Sequence, residues 1–180
     1  MMTQYRNISL LIFVLFIAGC GYTTQSLLPN NFKSIYVDNF KNKISITAEQ
    51  SNLRMYAGYR PGMETDLTKA IRDCFLFDGN LKVANEDNAD LTLLGELKDF
   101  KKEGLRYDKN DNVEEYRIKL IVDLELKDVK ALKTLWKEKE FSGETTYRTG
   151  GSLAKSEEAA IKDAISDLAR RVVERTVEGW

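Results

Sequence analysis

The chain has 180 residues, two cysteines and no histidine, with 27 Lys+Arg against 28 Asp+Glu. The length suits one domain of ordinary size; the missing histidine excludes a Ser-His-Asp or Cys-His triad, a His-ligated zinc and a His general base, and two cysteines cannot build a four-thiolate metal site. A net charge of -1 argues against a nucleic-acid binder, and 43% apolar with 31% charged residues is the make-up of a folded domain, not a disordered tail.

Residues 1–7 are short and polar, with Arg6 the only charge, and residues 8–17 are apolar except for Ser9. Ile17-Ala18-Gly19-Cys20 follows. A short positive region, an apolar core of about 7–15 residues and small residues before a cut mark a secretory signal. A membrane-spanning helix needs about 20 apolar residues, so this core is too short for a comfortable span. The small pair followed by cysteine resembles the bacterial lipobox. That resemblance implies cleavage before Cys20 and a thioether link from its thiol to diacylglycerol. An ordinary signal peptide with a cysteine nearby, or an uncleaved anchor, is the alternative. A single acyl chain holds a protein only marginally, at about 0.8 kcal/mol per buried CH2, whereas two or three make the attachment stable. Gly21 stands where the bacterial sorting rule places an inner-membrane aspartate, which implies transfer to the outer membrane. Loss of residues 1–19 removes Arg6 and moves the net charge from -1 to -2.

Residues 20–32 carry Gly, Thr, Ser, Pro and Asn and read as a tether, with Leu27-Leu28 its apolar handle. Residues 33–40 (KSIYVDNF) predict a first strand, buried on both faces or central in a sheet, because Ile35, Tyr36 and Val37 are contiguous and β-prone. Residues 41–60 have no clean period and predict a long loop, with room for a short strand at 44–47. Pro61-Gly62 opens a helix whose apolar face is Met63, Leu67, Ala70, Ile71, Cys74 and Phe75. Glu64 and Asp66 suit its N-terminal dipole, and Phe77-Asp78-Gly79-Asn80 ends it. A short strand is expected at 81–84 and a longer one at 89–100, with Ala89, Leu91, Leu93, Gly95 and Leu97 on one face. Residues 113–126 alternate most cleanly: Tyr116, Ile118, Leu120, Val122, Leu124 and Leu126 oppose Arg117, Lys119, Asp123 and Glu125, with Ile121 breaking the polar face. Turn-rich residues 107–112 join these two strands as a hairpin. Residues 133–146 predict a further strand with Gly143 as a bulge. Ser156 is a plausible N-cap before Glu157 and Glu158, and Ile161, Ala164, Ile165, Leu168, Val172 and Thr176 form the stripe of a last helix.

This order predicts an α+β, two-layer sandwich, with two helices on one face of a roughly four-stranded mixed sheet and the other face polar. The expected organisation is a signal peptide at 1–19, a lipid-anchored tether at 20–32 and a single domain at 33–180.

Several stretches together are similar to one family. They are Cys20-Gly21-Tyr22, Leu28-Pro29, the strand from Lys33 to Asn42, Leu67 to Ile71 on the first helix, and Ala89-Asp90 opening a strand with Gly95 mid-way. Tyr107-Asp108, Val113 to Arg117, and Asp167 to Val173 through Trp180 complete them. In order and spacing these resemble the lipopolysaccharide-assembly lipoprotein family, LptE, across nearly the whole mature chain. Residues 44–60 depart by being longer than the usual link. The resemblance implies a non-enzymatic outer-membrane lipoprotein, without cofactor or metal. It would plug an LptD-type outer-membrane β-barrel, help it assemble and assist lipopolysaccharide delivery to the outer leaflet. Its expected partners are that barrel, lipopolysaccharide and the outer membrane through the lipid anchor, with no nucleic acid. A polar outer face is compatible with a wide, polar barrel interior. The alternative is a periplasmic lipoprotein that regulates a cell-wall enzyme or forms a secretion ring.

Besides Cys20 as the lipidation site, the candidate lipopolysaccharide contacts are Lys98, Lys101, Lys102, Arg106 and Lys109, since cations bind its phosphates and carboxylates. The competing reading is a solvated loop neutralised by Asp99, Glu103 and Asp108. Cys74 reads either as a reactive or intermolecular thiol or as a small buried hydrophobe. Tyr107 and Tyr116 could face a barrel wall, but the phase of Tyr116 favours core packing. Glu114-Glu115 point to opposite faces of a strand and offer no acid–base pair.

Overall fold

The structure, a computed structural model, describes residues 32–44 and 60–178. The expected signal peptide, Cys20, most of the tether, Trp180 and all but the first residue of the expected strand at 44–47 lie outside them.

Strand β1 (Ser34–Val37) buries Ile35 and Val37 and lies inside the sheet, between the strands Lys82–Val83 and Leu91–Tyr107. β2 (Lys41–Asn42) continues along the same neighbour. Val37 sits opposite Leu93 and Lys41 opposite Glu96, so the first chain uses one more residue than the second and bulges at 38–40. The bulge turns Phe40 into the core, where its N–H donates to Thr68 Oγ1 at 3.0 Å. Gly95 makes room for that ring, since a Cβ there would lie 2.1 Å from Phe40 Cε1.

Helix α1 (Met63–Asp78) runs between two left-handed glycines, Gly62 and Gly79. Met63, Leu67, Ile71 and Phe75 are its buried ridge, and Arg72 donates to the Val37 carbonyl at 2.6 and 3.2 Å. β3 (Lys82–Val83), β4 (Leu91–Tyr107), β5 (Val113–Asp128) and β6 (Lys133–Arg148) complete a mixed sheet in the order β3-β1-β4-β5-β6, with β2 paired to β4. β1, β2 and β3 pair parallel, whereas β4, β5 and β6 form an antiparallel meander. The described sheet thus has six strands, not four; β2 and β3 are two-residue strands added by non-local pairing. β4 outruns the expected 89–100 because it stays paired with β5 up to Tyr107; its register shifts at Lys98, which puts both Leu97 and Phe100 in the core. The hairpin closes on Asp108, whose carboxylate accepts from the Asn110 and Asn112 N–H groups at 2.7 and 2.9 Å.

Helix α2 (Glu157–Glu178) is capped by Ser156, whose Oγ accepts the Ala159 N–H at 3.2 Å. Its expected stripe is buried from Ile161 to Thr176. The β6 bulge is not at Gly143, which pairs in register with Leu120; the shifts fall at 139–140 and at Leu135, and Glu140 adopts φ 54°. Gly143 has another task. A Cβ there would lie 2.5 Å from the Leu168 backbone N, so glycine lets α2 approach β6 closely. α2 covers β5 and β6, α1 covers β1 and β3, and the helices pack on each other. Both sit on one face and enclose one core.

Candidate functional site

The sheet face away from the helices is the candidate surface. On β5 the half-buried Arg117, Lys119, Ile121, Asp123, Glu125 and Lys127 alternate with buried Ile118, Leu120, Val122, Leu124 and Leu126. The outer side chains are laced together by opposite charges. Glu125 accepts from Thr134 Oγ1 at 2.7 Å and pairs with Lys137 at 3.2 Å and Lys127 at 3.5 Å. The Thr134 hydrogen bond, more than these cations, holds its carboxyl below the usual range. Asp123 accepts the Glu140 N–H at 2.9 Å. A cleft of about 320 Å³ opens beside these groups, lined by Asp38, Lys41, Glu96, Asp123, Glu125 and Lys137 among others.

The sequence-predicted cations do not form one cluster. Lys98 lies 3.9 Å from both Glu96 and Asp123. Lys101 pairs with Asp99 at 3.5 Å, and Arg106 with Glu115 at 3.5 Å. Lys109 is exposed in the hairpin turn. Lys102 points to the helix side, because neighbouring strand residues face opposite ways. Its side chain is 10% exposed, its ammonium lies 2.5 Å from Glu157 and 4.5 Å from the centre of the Tyr116 ring. Burial favours the neutral amine, but the hydrogen bond and charge of Glu157 outweigh it and the Lys102 pKa is raised. Tyr147 donates to the same carboxylate at 3.3 Å and stacks on Tyr116 at 5.6 Å. Lys102 therefore ties the hairpin to the start of α2. Tyr116 is half-buried within this packing, as its phase implies, and Tyr107 is 55% exposed.

Two further cations belong to the outer face at the hairpin end. Lys119 sits directly opposite Lys101, a like-charge pairing that sheets normally avoid. Arg148 lines a depression of about 370 Å³ with Arg106, Glu115, Gly150 and Gly151. The alternation of residues 113–126 already places Lys119 on this face; the register that sets it against Lys101 is a tertiary fact. Cys74 is half-buried on α1, and burial, aided by Asp73, pushes its thiol pKa up, which suits an inert side chain. Among the described residues no group of three or more Cys, Asp or Glu could hold a metal ion. None of the described helices is long and apolar enough to cross a membrane.

Solved structures share this fold. A protein from Xanthomonas campestris superposes with a TM-score of 0.56 at 13% identity, covering 86% of this chain and 92% of that one. A hypothetical protein from Chlamydia trachomatis gives 0.53 at 10% identity, over 81% and 95%. Lipoprotein B from Nitrosomonas europaea gives 0.50 at 15% identity, over 83% and 84%. At these identities the likeness is one of fold. No curated protein sequence matches the chain. The family model for LptE, described as lipopolysaccharide-assembly, matches residues 32–176, which is most of the chain and nearly all of the sheet and both helices. On that match the chain belongs to the LptE family of lipopolysaccharide-assembly proteins.

Proposed function

We propose that this protein is an outer-membrane lipoprotein, acylated at Cys20, that plugs and helps assemble an LptD-type β-barrel and assists lipopolysaccharide delivery to the outer leaflet. Family membership supports the role in lipopolysaccharide assembly. The observation that carries the plug is the open sheet face, polar and charge-paired on one side and backed by a packed helix layer on the other. Such a body suits a wide barrel whose lumen is polar. The role is non-enzymatic: the protein fills, holds and hands over. Lys101 and Arg106, with Lys119 and Arg148 beside them, would meet the phosphates and carboxylates of lipopolysaccharide through charge-assisted hydrogen bonds. Lys98 and Lys109 flank them, whereas Lys102 is engaged within the fold. Affinity purification of the acylated chain from detergent-solubilised outer membranes tests the reading. A large barrel of the LptD type is expected in the eluate, and a preparation free of any barrel overturns the plug.

A further inference from the structure

We infer that the end of the domain from which the tether leaves is a membrane-contacting surface, set by Phe77, Leu76 and Leu132 against the bilayer that holds the chain's own lipid. The inference rests on the acylation of Cys20. It adds a second, non-covalent contact with the same lipid surface, made by the anchored chain before the domain enters a barrel lumen.

Three parts of the chain meet at this end. Lys33, which follows the tether, donates its N–H to Asp90 Oδ2 at 3.0 Å. Its carbonyl accepts the Lys82 N–H at 2.9 Å, at the start of β3. The other oxygen of Asp90 accepts Lys130 Nζ at 2.7 Å, in the turn between β5 and β6. Phe77 and Leu76 precede Lys82 by only a few residues, at the C-terminus of α1, and Leu132 follows Lys130 in its turn. The tether and these three apolar side chains are thus fixed at one end of the sheet.

Phe77 is 92% exposed, Leu132 91% and Leu76 64%. Among the described residues, the other large apolar side chains in the open, Leu105, Tyr107 and Leu153, lie toward the hairpin end, and none is as exposed as Phe77 or Leu132. Leu132 is doubly costly in water. It holds φ 51°, a left-handed conformation that glycine or asparagine adopts more readily, and it presents an isobutyl group to solvent. Glycine or asparagine would hold that turn at lower cost. A lipid surface offers a reason for leucine.

The tether sets the distance. Cys20 is twelve residues before Phe32, a span of at most roughly 40 Å at about 3.3–3.6 Å per residue. This end is therefore held within that distance of the anchor. Phe32 packs on the core, so the tether leaves from a fixed point. Apolar side chains at a headgroup boundary give a weak contact by themselves, which becomes effective once an acyl anchor holds the protein nearby.

The test uses the full acylated chain in phosphatidylethanolamine–phosphatidylglycerol vesicles that contain no barrel. Phe77→Cys, Leu132→Cys and, at the opposite end, Asn110→Cys are each made with Cys74→Ser and labelled with an environment-sensitive fluorophore. Labels at 77 and 132 are expected to shift to shorter wavelength and lose emission when nitroxide-bearing lipids are included, while the label at 110 keeps its emission in water. Vesicle flotation is read in parallel. A chain that floats with water-like labels at 77 and 132, or with an equal response at 110, overturns the inference and leaves the anchor standing. A chain that fails to float overturns both. Neither result bears on co-purification with a barrel.

Discussion

Asp90 shows how much one carboxylate can hold. Besides Lys33 and Lys130, it accepts the Ser34 N–H at 3.2 Å and the Ser34 hydroxyl at 3.0 Å. In return, Ser34 Oγ accepts the Asp90 N–H at 3.0 Å. Lys130 first, then the Lys33 N–H, lower its pKa from 3.8 to about 2. A group depressed by folding adds stability that is full above its unfolded pKa and is lost as pH falls through the folded one. Lys130 is 80% exposed and solvent screens its share, so the contribution is on the order of 1–2 kcal/mol. Asp90→Asn is expected to lose about that much in urea unfolding at pH 7. The gap to the parent protein should narrow between pH 4 and 2, where the parent's own carboxyl becomes neutral. An equal gap at pH 7 and pH 2 would assign the loss to hydrogen-bond geometry alone. The sequence marks this residue only as part of the opening of the expected 89–100 strand and of the family resemblance; its partners are not legible, because Ser34 lies 56 positions away and Lys130 40.

The elements were legible where burial repeats with a fixed period. The alternation of β5 and the stripes of α1 and α2 gave their own faces, and Ser156 and Gly79 marked ends that the backbone confirms. Legibility failed where one residue breaks the period. The shift at Lys98 reverses the faces from Asp99 to Gly104, where the register shifts again, which is why Lys102 points inward to Glu157 while Lys101 points out. The cations adjacent in sequence are therefore divided between two faces. β2 leaves no mark in the sequence because two residues carry no period, and only the partner strand defines it. From sequence alone Gly143 predicts a bulge, because a glycine inside a strand is usually either a bulge or a close approach. The choice depends on Leu168, 25 positions further on. Gly143→Ala should force α2 off β6 and cost about 1–3 kcal/mol in chemical denaturation. Gly150→Ala is the comparison, with nothing within 4 Å of its Cβ, and should stay within about 0.5 kcal/mol of the parent. Equal effects at the two sites would mean that the helix does not press on this strand.

At the scale of the molecule, the two faces of one sheet divide the labour. The helix side closes a core that includes Ile118, Leu120 and Val122, each with no exposed surface. The other side keeps Arg117, Lys119, Ile121 and Asp123 half open, and Arg117 and Asp123 already find opposite charges within the fold, at Glu144 and Lys98. A surface neutralised in this way has little unpaired charge with which to attract a partner from a distance. It meets a partner through shape, hydrogen bonds and the few cations set against each other, such as Lys101 and Lys119. If that face lies against a barrel wall, contact along β5 must repeat every second residue. Photoreactive residues placed singly from 117 to 123, in protein retained on outer membranes, should crosslink to the barrel at 117, 119, 121 and 123. They should fail at 118, 120 and 122 in those variants that still accumulate. Crosslinks with no alternation would mean that β5 is not the docking strand. Alternation in the opposite phase would require the helix layer to leave the sheet, which the buried stripe of α2 forbids without unfolding.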